Sequence, residues 1–278
     1  MDHIPLDQAK LETQKQWDGD PCGAVTVKGV EPETLDFYRE ARRYRYEVYA
    51  PWFKERMRFE EWRGKRVLEI GVGLGSDHFS FASDGALMTS LDLSREHLRH
   101  TQKHLTLEGL STDPHYGDAE VNPFPDNTFD LVYSFGVLHH TPDTEKSIAE
   151  VYRVLKPGGT ALIGLYHRNS FFHWISVVLY FGILRGGLIK KGYRKLLSEI
   201  EYRSPENTAI PLVKTYSRRE VRALFSAFES LDLKTSHANN GRMTTPLRWL
   251  LGGLSELEFE KRYARFGWYL IARAKKPG

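Results

Sequence analysis

Nine residues constrain this chain most: Val67-Leu68-Glu69-Ile70-Gly71-Val72-Gly73-Leu74-Gly75. An apolar run with an embedded acid breaks into three alternating glycines. A helix is expected next, from about Ser76 to Ser83. This is how a buried parallel strand turns sharply into a helix, leaving backbone bare enough for a ligand to lie on it. A second run, Leu87 to Leu93, carries Asp92 about twenty residues after the first glycine, where a carboxylate can accept both hydroxyl hydrogens of a ribose. The pair points to a cofactor that bears a nucleoside, although a lone glycine-rich turn is also what any tight strand-to-helix loop requires.

The glycine spacing narrows the cofactor. A dinucleotide site wants G-x-G-x-x-G with a pyrophosphate on the helix N-terminus. Here the third glycine comes one residue early and Ser76 stands in its slot. Glu69 would repel a diphosphate but suits a ligand with a cationic amine. The E-x-G-x-G-x-G run resembles motif I of the class I S-adenosylmethionine (SAM) methyltransferases. Further segments follow in the family's order: Gly117-Asp118-Ala119-Glu120, then Pro123 to Ser134 running into a fourth strand, then Leu138-His139-His140, then Arg153 to Gly159 opening a fifth strand at Thr160–Leu165. The resemblance covers roughly residues 64 to 168. It is nearest to the small-molecule branch that includes the ubiquinone- and menaquinone-type enzymes.

That resemblance implies an α/β, Rossmann-like sheet of seven strands in order 3-2-1-4-5-7-6, with strand 7 antiparallel. It implies SAM as cofactor and S-adenosyl-L-homocysteine as product. The cofactor-binding set it implies is Glu69, Gly71, Gly73, Gly75, Asp92, Leu93, Asp118, Ala119 and Ser134. Tyr46, beside Arg45 and Tyr49 in an N-terminal helix expected over about 32–49, is a candidate for the methionine carboxylate, with plain helix packing as the alternative.

Other helices are expected at about Arg95–Leu107, Thr144–Leu155 and Arg218–Phe228, and strands at Asp113–Tyr116, Leu231–His237 and Trp268–Ala274. The chain divides into N-terminal cap helices (1–60), a cofactor-binding core (61–168), an insertion (169–216) and a C-terminal completion of the sheet (217–278). The insertion opens with Phe171 to Leu184, apolar on every side, so a helix there must be buried, meet a partner or touch lipid. It is short for a membrane span. A substrate lid, a peripheral membrane contact and a dimer interface all remain open, as do monomer and homodimer.

With 278 residues the chain can bury a full core. Its 39 basic and 36 acidic residues leave +3, too balanced to select an acidic partner, and no basic patch is concentrated enough for nucleic acid. One cysteine, Cys22, forbids an intrachain disulfide, and the first residues lack the pattern of a signal peptide. Both fit a cytoplasmic setting. No metal-ligand spacing is evident among the loop histidines.

Methyl transfer from a sulfonium is a displacement at carbon, and a hydroxyl acceptor adds the need for a general base at the carboxyl edge of the sheet. His139, His140 and His167, beyond the fourth and fifth strands, are the candidates. The reading is methylation of a small apolar or aromatic acceptor, at oxygen first and nitrogen second. A non-catalytic SAM-binding regulator is the reading from another class, and loss of a cofactor motif would mark it. A macromolecular substrate would call for an N/D-P-P-[FY] type motif where this chain has Ser134-Phe135-Gly136-Val137.

Overall fold

The computed structural model describes residues 7–201, 204–238 and 256–278. Seven strands form one sheet in the order β3-β2-β1-β4-β5-β7-β6. They are β1 (Arg66–Ile70), β2 (Leu87–Asp92), β3 (Asp113–Tyr116), β4 (Phe129–Phe135), β5 (Leu155–Tyr166), β6 (Ser230–Ser236) and β7 (Tyr269–Lys275). The first five run parallel, whereas β7 is antiparallel to both β5 and β6. This is the expected topology.

Alternate side chains serve opposite faces of the sheet. Leu68, Ile70 and Val132 pack into one cluster with Ile148, Val151, Val221 and Phe225. Val67, Leu131 and Tyr133 pack into another with Tyr46, Phe53, Phe59, Leu196 and Trp268. The central strands are therefore covered on both sides, which is why β1 reads as a nearly continuous apolar run.

The helices begin where their caps stand. In α5 (Arg95–Leu107) the Ser94 hydroxyl accepts the His97 N–H, and in α6 (Thr144–Val154) Asp143 accepts that of Lys146. A capping box of Ser217 and Glu220 opens Arg218–Leu224. The helix α4 (Ser76–Ser83) follows Gly75, whose φ is +75°.

Three elements depart from expectation. β5 begins at Leu155, because Leu155 already pairs with Phe129 across a bulge. The helix expected over 32–49 ends at Arg43 as α2 (Leu35–Arg43) and widens into a π-turn, Tyr44–Tyr49, where the Ala50 N–H reaches back to the Arg45 carbonyl. The apolar run of the insertion is a π-helix, Phe172–Leu184. Val177 on it packs into the aromatic core, while Trp174, Leu179, Phe181, Ile183 and Leu184 are exposed. No helix among the described residues is long and apolar enough to cross a membrane.

Candidate active site

The carboxyl ends of β1, β2, β4 and β5 converge on one edge of the sheet. Past β1, Gly71, Gly73 and Gly75 hold φ of +81°, +53° and +75°, a conformation side chains rarely adopt. At Gly71 a Cβ would also stand 2.2 Å from Val137 Cγ2, so the turn is pressed against the segment that carries His139 and His140. Glu69 is buried, and its Oε2 lies 2.9 Å from His78 Nδ1. Burial, and then the charge of Asp77, raise the Glu69 carboxyl well above its usual range. A cationic ligand would offset that cost.

Asp92 ends β2 and is largely engaged. Its Oδ2 accepts the Val72 N–H (2.8 Å) and its Oδ1 the Ser94 N–H (2.8 Å). His97 adds a third contact: the Cys22 N–H donates to Nε2, so Nδ1 carries the proton and donates to Asp92 Oδ2 at 3.1 Å. Two oxygens offer about four lone-pair positions, so capacity remains for a ribose, though less than an unencumbered carboxylate would offer. Leu93, the next residue, is half-buried. Asp118 accepts the Glu120 N–H on Oδ1 and Lys10 Nζ on Oδ2 at 2.7 Å, and Lys10 also reaches Glu120 at 2.6 Å.

Lys10 belongs to α1 (Gln8–Gly19), which lies across the ends of these strands. From the same helix the Trp17 ring meets His97 at 6.0 Å and His140 at 5.8 Å, and Asp18 accepts from the Ser94 hydroxyl at 2.6 Å. Sequence reasoning did not single out Lys10, Trp17 or His97 for these places; nothing in their spacing marks them.

Several expected site residues turn elsewhere. The Ser134 hydroxyl is fully buried and donates to the Ile70 carbonyl at 2.8 Å, tying β4 to β1 rather than facing a ligand. Ala119 is buried in the core cluster beside Leu91. The Tyr46 hydroxyl is committed to Asp77 Oδ1 at 2.8 Å and to Ser76 and Ser80. Arg45 is paired with the same Asp77, through Nε at 2.6 Å, and the Tyr133 hydroxyl donates to it at 2.7 Å. His167 sits in the loop after β5, where its Nδ1 contacts the Gly267 carbonyl at 2.9 Å.

His139 and His140 do come together. Their ring centroids are 4.2 Å apart, and His139 lies on Tyr166 at 3.7 Å. Both ring nitrogens of His139 are buried with no hydrogen-bond partner. Burial, followed by the neighbouring His140 and Lys214, holds His139 well below the usual histidine range, so it is neutral at pH 7. His140 Nδ1 lies 2.6 Å from the Leu212 carbonyl, which fixes the proton there and leaves Nε2 as an acceptor without a partner. Glu201, from the insertion, takes the Tyr166 hydroxyl at 2.8 Å and lies 3.9 Å from His140 Nε2. Tyr166 closes the fifth strand as expected, but Glu201 carries no mark in the sequence.

Residues 68–163 match the family model described as "Methyltransferase domain". This chain carries a methyltransferase domain. The family and the fold imply S-adenosylmethionine as cofactor. The chain's own residues fit that molecule: a bare glycine turn, a carboxylate at the end of β2, and buried acids that suit a cationic ligand. A phthiotriol/phenolphthiotriol dimycocerosates methyltransferase of Mycobacterium ulcerans is 41% identical over 117 residues, 41% of this chain and 42% of that protein. A ubiquinone biosynthesis O-methyltransferase of Aromatoleum aromaticum is 36% identical over 107 residues, 38% of this chain and 46% of that protein. The chain thus spans less than half the length of these curated relatives. Among solved structures, the 4+2 cyclase SpnF covers 100% of this chain and 99% of its own at a TM-score of 0.57 and 18% identity, a likeness of fold alone.

Proposed function

We propose that this chain transfers the methyl group of S-adenosylmethionine to an oxygen of a small, apolar or aromatic acceptor. One fold hosts many reactions, as the cyclase illustrates, so the proposal rests on the site. The observation that carries it is His139, a neutral imidazole with both nitrogens buried and unpartnered, walled by Tyr166 and standing two residues beyond Val137, which packs against the glycine turn. A buried polar group without a partner costs about 1–3 kcal/mol, and an acceptor hydroxyl would satisfy it.

When bound, the sulfonium supplies an electrophilic methyl group. The protein's part is to hold the acceptor, exclude water and receive a proton. His139 takes the hydroxyl proton on a ring nitrogen, and Trp17 and Tyr166 supply the apolar walls. Of the described residues, those within 1–60 and 169–216 act as covers of the site, and those within 217–278 complete the sheet. The exposed apolar face of the insertion helix, flanked by Arg185, Lys190 and Lys191, would collect a lipid-like acceptor at a membrane surface. The relatives named for dimycocerosates and ubiquinone support an apolar acceptor, and the latter is named for oxygen. Nitrogen is the second choice.

The test is methyl transfer from labelled S-adenosylmethionine to a panel of apolar phenols and alcohols, with matched amines. Hydroxyl acceptors should be methylated. His139→Gln should cut turnover by about 10²–10⁴-fold, with affinity for S-adenosylhomocysteine unchanged. Methylation of amines alone, unaffected by His139→Gln, would overturn the oxygen assignment.

A further inference from the structure

The His139–His140 pair invites a second question: what satisfies its lone pairs before an acceptor arrives. We propose that His139, His140 and Glu201 bind a divalent transition-metal ion of the zinc type. One ligand atom from each of the three lies within 4.8 Å of the other two. Both histidines are at least nine-tenths buried, at 0% and 4% exposure, and His140 Nε2 and both His139 nitrogens lack a hydrogen-bond partner.

The supporting contacts are those a metal site needs. Ligating histidines usually donate their other ring N–H to a carbonyl or carboxylate, which fixes tautomer and ring orientation. His140 does this through Nδ1 and the Leu212 carbonyl. Ligating carboxylates are themselves hydrogen-bonded, and Glu201 Oε1 accepts the Tyr166 hydroxyl at 2.8 Å. The spacing is close to what an ion requires. With Zn–N of about 2.0–2.1 Å, tetrahedral ligand atoms stand about 3.4 Å apart. The His140 Nε2 to Glu201 Oε1 distance is 3.9 Å, a gap that a small rotation of the glutamate closes. Lys214, whose charge bears on His139, is held by its Nζ to the Pro142 carbonyl at 3.2 Å.

Two imidazoles and one carboxylate suit zinc and its first-row neighbours. They do not suit magnesium or calcium, which take oxygen ligands. Three protein ligands leave a position open, the pattern of a reactive rather than a structural site. An acceptor oxygen would bind there if the methyl-transfer reading holds, with the bound ion rather than a free His139 lone pair easing loss of its proton, but occupancy by the ion does not depend on that reading.

The experiment uses the full chain without an affinity tag, stripped by chelator and titrated calorimetrically with Zn2+, Mn2+ and Mg2+ in the absence of cofactor. One equivalent of Zn2+ should bind, Mn2+ more weakly in keeping with the usual divalent order, and Mg2+ not at all. Zn2+ should raise the melting temperature of the wild type. Glu201→Gln, a near-isosteric change, should lower Zn2+ affinity at least tenfold and abolish the melting shift, and His140→Asn should do the same. If His140→Asn fails to fold, Glu201→Gln carries the result alone. The proposal is overturned if the wild type takes up no Zn2+, or if one equivalent binds with equal affinity in the folded variants. Zinc binding without any methyl transfer would sink the proposed activity and leave the ion site standing.

Discussion

At Asp92, one carboxylate already has a structural role, and we propose that it also holds the cofactor's ribose. It caps the Val72 and Ser94 amides and orients His97 before any cofactor arrives. Removing it with Asp92→Ala would orphan two buried N–H groups, each costing about 1–3 kcal/mol, so a loss of binding would be confounded with a loss of stability. Asp92→Asn keeps the shape and one acceptor oxygen but removes the charge. We expect Asp92→Asn to weaken S-adenosylmethionine binding by about tenfold or more, which is about 1.4 kcal/mol, while melting closer to wild type than Asp92→Ala does. Calorimetry and thermal unfolding read the two effects separately. Unchanged affinity in Asp92→Asn would mean that the charge of this carboxylate does not hold the ribose.

The element that ties these strand ends together is α1. Its Lys10 spans Asp118 and Glu120, and its Trp17 lies near both His97 and His140, so the helix joins the loop after β3 to the histidine pair after β4. If Asp118 takes the cofactor's adenine amino group, as we propose, that group competes with an ammonium already in place. Lys10→Met keeps the apolar stem and removes the charge, leaving two carboxylates without their cation. Amide exchange across residues 8–19 should then quicken by about tenfold or more, equivalent to at least about 1.4 kcal/mol of lost docking. Hydrogen-exchange mass spectrometry of the two proteins measures it. Protection equal to wild type would show that Trp17 and Asp18 hold the helix without the ion pair.

For the molecule as a whole, buried histidines set the response to acid. Burial is the first cause of a lowered pKa at His78, His100, His104, His139, His167 and His173. His78 falls to about 3 and His104 to about 4. His78 and His104 therefore stay neutral in the folded chain at pH 5 to 7 and take up protons there mainly when it unfolds. Their contribution to stability is present above the unfolded value near 6.5 and is lost as pH falls toward the folded values. His78 and His104 together should remove roughly 3–4 kcal/mol between pH 7 and pH 5. Urea unfolding at the two pH values tests this. A flat profile would mean that these rings already accept protons in the folded state.

Local physical requirements are what the sequence determined by itself. The apolar run of β1, the three glycines after it and the caps at Ser94, Asp143 and Ser217 act within a few residues of themselves, so their pattern specified the elements, and family order supplied the topology. Asp92 and the His139–His140 pair were legible because each stands at a strand end, which topology alone brings to the site edge. Which way a side chain turns there was not legible. Ser134 and Tyr46 occupy the expected segments, yet packing gives their hydroxyls to Ile70 and Asp77. Lys10, Trp17 and Glu201 reach the site from segments distant in sequence, through contacts that no spacing rule encodes. Only the tertiary structure decided that the histidine pair meets a carboxylate, because that partner arrives on the insertion, after the chain has crossed back over the sheet edge.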